Sequence, residues 1–247
     1  MEVTFGDCYR DLVSNGGYKL LASWSASNEV QQYVKQFVHR RLYHFTIEDI
    51  EQVLQTIETG HIDNRPLANV KAREAHPVIE DLRPMFPLVC VFHEMIESTN
   101  KIPTFSAFHS YLRKDTGLRC YQDFLDALAH IPGSYESKMR ALRWRLGNAY
   151  NSAFREVYVL IYLKERHKIE VKYHLFADIQ LQTDLWFGFN LIRIYVPNAK
   201  LLRKRDPKTW AYKFRIHDVQ IAHRGFGKIW LPDRNTLDNL AMKLKRC

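Results

Sequence analysis

Polar side chains occupy every second position over Asp178, Gln180, Gln182 and Asp184, with Ile179, Leu181, Thr183 and Leu185 as the alternate set. Read as a strand, this alternation turns the polar set to one face, so that two carboxylates look the same way. Carboxylates that face together hold hard cations through oxygen, and such a cation offsets charge on a phosphoryl centre and acidifies a bound water. Trp186-Phe187-Gly188-Phe189 then reads as a tight connection into Asn190–Val196, which is rich in β-branched and aromatic residues and is stopped by Pro197. The whole stretch is thus predicted to be a β-hairpin. On its second strand Arg193 and Tyr195 share a face, which sets a cation beside the acids, where it can stabilise an oxyanion.

A third acid comes from the longest helical pattern, Ser134 to His167. Met139, Leu142, Leu146, Ala149, Ala153, Val157 and Leu160 recur at three and four residues as one apolar stripe, with Arg140, Arg143, Arg145 and Arg155 beside or behind it. Glu156 sits at the border of that stripe and faces partly inward. The order of a helix with a glutamate, an acid-bearing strand, a hairpin partner and a basic tail resembles the PD-(D/E)XK nuclease superfamily, the restriction-endonuclease-like fold. The resemblance covers about residues 138 to 215. It implies a Mg²⁺ or Mn²⁺ site made of Glu156, Asp184 and the accessory Asp178, and phosphodiester hydrolysis in a bacterial defence, restriction or mobile-element setting. The family's second acid and lysine fall on Arg193 and Tyr195. Lys204, Lys208 or Lys172 would then stand in for the lysine, and Gln180 or Gln182 for the ligand; Arg193 and Lys204 join Glu156 and Asp184 as the catalytic candidates.

Charge placement agrees with a polyanionic partner. The chain has 247 residues and a formal net charge of +9. Residues 1–137 hold 13 Lys+Arg against 18 Asp+Glu, a balance of −5, and residues 138–247 hold 23 against 9, a balance of +14. The basic half points to nucleic acid, DNA ahead of RNA, and the acidic half to a protein partner. Lys200, Arg203, Lys204, Arg205, Lys208 and Lys213 are the expected phosphate contacts; Trp210, Tyr212 and Phe214, interleaved with the basic residues, suit contact with bases or, by their alternation, the buried face of a strand over Thr209–Ile216, the reading favoured here.

Other chemistries lack their motifs. The four cysteines form no CxxC pair, the histidines show no HExxH spacing, and GxGxxG, Walker A and GxSxG are absent. No apolar run approaches the roughly 18 residues of a membrane span, and the N-terminus lacks a signal-peptide pattern, so the expected location is the cytoplasm. Periodicity predicts helices over Asn28–Leu42, Thr46–Thr59, Leu88–Ser98, from Thr104, over Tyr121–His130 and over Thr236–Lys245. The fold expected is α+β: a helical domain at 1–137 that docks a partner or positions DNA, then a basic, mixed α/β nuclease-like domain at 138–247 with a central hairpin. The alternative is a noncatalytic nucleic-acid-binding or assembly subunit, in which Asp178, Asp184 and Arg193 form a structural ion-pair network.

Overall fold

The computed structural model describes residues 1–67, 70, 75–114, 120–196, 209–221 and 229–246. Thr4 opens the first helix, Phe5–Cys8 (α1), through a capping box: its hydroxyl accepts from the Asp7 N–H and its own N–H donates to Asp7 Oδ2. The chain goes on as wider, π-type turns over Tyr9–Gly17 and returns to α geometry at Tyr18–Ala22 (α2). At Gly16 the backbone leaves the helical region with φ +146°, and a Cβ there would lie 2.1 Å from the Trp210 carbonyl oxygen. Only glycine lets these two backbone segments meet. Gly16→Ala is therefore expected to destabilise the fold by about 2 kcal/mol, through strain and the displaced Trp210 loop. Urea unfolding measures this, and an unchanged midpoint would show that the contact carries no weight.

Asn28–Gln36 (α3) is capped by the Ser27 hydroxyl, but it ends six residues before the periodicity does. Phe37 is extended, and His39 exchanges two 3.0 Å backbone hydrogen bonds with Val3. A long-range pairing thus overrides a local pattern. Ile47–Thr59 (α4) begins as expected, with its first N–H accepted at 2.5 Å by Glu165 Oε2.

Pro77–Asp81 (α5), Leu88–Thr99 (α6), Phe105–Arg113 (α7), Cys120–Ala129 (α8) and the 33-residue Tyr135–His167 (α9) follow. The Thr104 cap is present, its hydroxyl accepting from Ala107 N. Tyr150 of α9 anchors this core. Its ring lies 5.5 to 5.8 Å from those of Phe92, Phe105 and Phe108, and its hydroxyl donates to the Pro103 carbonyl at 2.8 Å.

After α9 the alternating stretch departs from its expected form. Residues 175–179 are a short helix (Leu175–Ile179, α10) instead of part of a strand. His174 caps it, with Nδ1 accepting from Phe176 N at 3.1 Å, and Gln182 turns the chain at φ +53°. Leu175, Phe176 and Ala177 are all fully buried, which a two-residue period does not allow. The expected hairpin begins only afterwards, as Leu185–Phe187 (β1) and Asn190–Tyr195 (β2), antiparallel, with Leu185 opposite Ile192. Arg215–Gln220 (β3) runs parallel to β2, giving a three-stranded mixed sheet in the order β1-β2-β3. Lys172 adds a single backbone bridge to Trp186 on the other edge. Thr209–Ala211 is a 3-10 turn where a strand was expected, and Arg234–Lys245 (α11) is capped by Asp233.

The architecture is α+β, with helices predominating. It divides into two compact units, one built from Met1–Ile47, Arg155–His223 and Trp230–Cys247 so far as these are described, the other chiefly from Glu48–Phe154. The division falls within α9, whereas the charge boundary at 137/138 falls near its start. Among the described residues no helix is long and apolar enough to cross a membrane.

Candidate metal centre

The residues of α9 from Ala153 to Leu163 are buried without exception. A helix segment enclosed on all sides is expected to be apolar, and charges within it need compensation. Arg155 and Glu156 break that rule side by side, at 8% and 5% exposure. Burial pushes the Arg155 guanidinium below its usual range, and the nearby Glu156 and Asp184 carboxylates oppose that shift.

Glu156 meets Asp178 from α10 and Asp184 from the residue before β1: one oxygen from each carboxylate lies within 4.8 Å of the other two. A single cation with oxygen ligands at about 2.0–2.6 Å spans such a gap with little adjustment. Asp178 and Asp184 are half-buried, so the cluster is partly open on their side. Each is held by a neighbour. Tyr173 donates its hydroxyl to Asp178 Oδ2 at 3.3 Å, and the Ile194 backbone N–H donates to Asp184 Oδ2. Three formal negative charges against the one of Arg155 leave two, which matches a divalent cation.

The remaining site residues are placed differently. Arg193 lies on the face expected, but it pairs across the ladder with Asp218: Nε and Nη2 donate to its two oxygens at 2.7 and 2.8 Å. That fork-to-fork contact leaves the Nη1 donors outside the pair. Lys172 donates instead to Asp11 at 2.7 Å, and Trp186 Nε1 donates to the same oxygen at 3.2 Å. Burial pushes the Asp11 carboxyl up, but the hydrogen bonds from Lys172 and Trp186 outweigh it and hold it below the usual range. Gln180 gives its amide N–H to the Leu20 carbonyl at 2.7 Å. Lys213 is exposed, with its ammonium 5.7 Å from the Tyr212 ring centroid. Lys200, Arg203, Lys204, Arg205 and Lys208 lie outside the described residues.

Sequence reasoning missed Arg155, Tyr173 and the Ile194 N–H. The first left a signal: an Arg-Glu pair inside AFREVYVLIYL, a run otherwise apolar on every helix face. The other two left none, since a tyrosine hydroxyl and a backbone amide acquire roles only once the fold sets them.

No family model, curated protein or solved structure matches the chain.

Proposed function

We propose that the protein is a divalent-metal-dependent nuclease acting on DNA, with Glu156, Asp178 and Asp184 as the ligands of Mg²⁺ or Mn²⁺. The convergence of three carboxylates from three separate elements within 4.8 Å carries this reading. Like charges so close raise the energy of the folded state, and such clusters concentrate where a cation or a proton is handled. A cation held there supplies Lewis acidity toward a phosphodiester oxygen and lowers the pKa of a water. Tyr173 and the Ile194 N–H fix the two half-buried acids, so that little reorganisation is needed. Arg155 limits the excess negative charge, and Arg193, pinned by Asp218, presents Nη1 to developing charge on phosphate. The basic segment from Lys200 to Lys208 supplies the phosphate contacts, Lys204 among them as a catalytic candidate. The balance of −5 over residues 1–137 suits a protein partner, and the setting we favour is bacterial defence, restriction or mobile-element processing.

One observation favours a second reading, a noncatalytic nucleic-acid-binding or assembly subunit. Both described cations that the family pattern would draw on, Arg193 and Lys172, already engage carboxylates. The two readings separate in one assay, incubation of plasmid and single-stranded DNA with Mn²⁺ or with EDTA. Metal-dependent cleavage that Glu156→Gln and Asp184→Asn remove supports the nuclease. Absence of cleavage by the wild type with Mn²⁺ as with EDTA leaves the binding subunit.

A further inference from the structure

Two clefts share one side chain, Lys213. The first, about 490 Å³, is lined by residues that include Tyr18, Lys19, Trp210 and Tyr212; the second, about 400 Å³, lies at the hairpin tip around Phe187–Asn190 and Arg215. Among the described residues, no aspartate or glutamate lines either one. Aromatic rings that a core would ordinarily take up stand in water here: Tyr212 is 76%, Tyr18 60% and Phe189 56% exposed. The scaffold beneath them is fixed. Phe214 is buried, with its ring 5.7 Å from those of Phe189 and Trp210, and the Trp210 backbone rests on Gly16.

Exposed ring faces joined by cations offer two complementary contacts, one for an unstacked base and one for a phosphate. A duplex hides its base faces, so such a surface selects a single strand. The second cleft is also close to the carboxylates along the chain. Four residues of extended ribbon separate Asp184 from Gly188, a distance of roughly 13 Å. We infer that the linked clefts around Lys213 bind single-stranded nucleic acid, with Tyr18, Phe189 and Tyr212 stacking on bases and Lys19, Lys213 and Arg215 holding phosphates. This rests on the nucleic-acid reading above and adds the strandedness of the partner: the strand crosses the hairpin tip and runs toward the acids.

The test is fluorescence anisotropy in EDTA, with a labelled oligothymidylate of about 12 nucleotides, within the span such surfaces cover, and the same sequence as a duplex. Wild-type protein binds the single strand in preference. Phe189→Ala with Tyr212→Ala weakens that binding about tenfold or more, which is the effect of losing base stacking, while both side chains are exposed enough for the fold to survive. Lys213→Glu flattens the salt dependence of binding. Because EDTA removes cleavage, the outcome does not depend on the nuclease reading, and Mn²⁺ stabilisation of the double variant reports separately on the metal centre. Unchanged single-strand affinity in the double variant overturns the inference. So does equal or tighter binding of the duplex, or binding of phosphatidylserine vesicles in place of the oligonucleotide.

Discussion

In Mn²⁺ at about 100 times its dissociation constant the wild-type protein is expected to gain about 2.7 kcal/mol of stability over the protein in EDTA. For a chain of this size that corresponds to a rise of roughly 5–10 °C in Tm. Asp184→Asn and Glu156→Gln should lose the rise together with any metal-dependent DNA cleavage. The effect follows from the geometry: three carboxylates within 4.8 Å repel one another, and a cation that binds only the folded arrangement converts that repulsion into attraction. Thermal melting across a Mn²⁺ titration and calorimetric binding measure the same coupling independently. A wild-type Tm that does not respond to Mn²⁺, with no heat of binding, would reject the metal centre.

The three acids were legible in the sequence, but the alternation that singled out Asp178 and Asp184 was the wrong physical route to them. Six residues of strand span about 20 Å, so one face of one strand aligns these carboxylates without letting them share a cation. The helix α10 and the turn at Gln182 bring them together. A five-residue helix is too short to show a 3.6-residue period, so alternation by chance prevailed. Trp210, Tyr212 and Phe214 mislead in the same way: only Phe214 of the three is in the core, and Tyr212 stands in solvent. Long elements were easier to read. Seven apolar positions spaced along α9 specify a helix before any packing is known, whereas the end of α3 depends on Val3, whose pairing with His39 no local window contains.

His174 sets the second large effect, on the pH dependence of stability. Its ring is fully buried, with Nδ1 accepting the Phe176 N–H and Nε2 3.3 Å from the Phe37 carbonyl. These contacts require the neutral tautomer with its proton on Nε2. A proton added at Nδ1 would displace the N–H that starts α10 and place a charge among Phe5, His39 and Phe176. Burial accordingly pulls the pKa down to about 4, against smaller opposing effects from the Phe37 carbonyl and Asp7. The unfolded chain takes up this proton near pH 6.5 and the folded chain only near pH 4, so the stabilisation is complete above pH 6.5 and is lost as pH falls toward 4. A shift of this size amounts to about 3 kcal/mol. His174→Asn keeps a side-chain oxygen to cap α10 and removes the titration. Its stability at pH 7 should fall by about 1–2 kcal/mol through lost packing, while the wild-type advantage disappears by pH 4. Urea unfolding of both proteins over this range is the measurement, and curves that run parallel would reject the role of His174. Because α10 carries Asp178, acid that releases its cap also loosens one wall of the candidate metal centre. Mn²⁺ affinity should therefore fall more steeply as pH approaches 4 in the wild type than in His174→Asn.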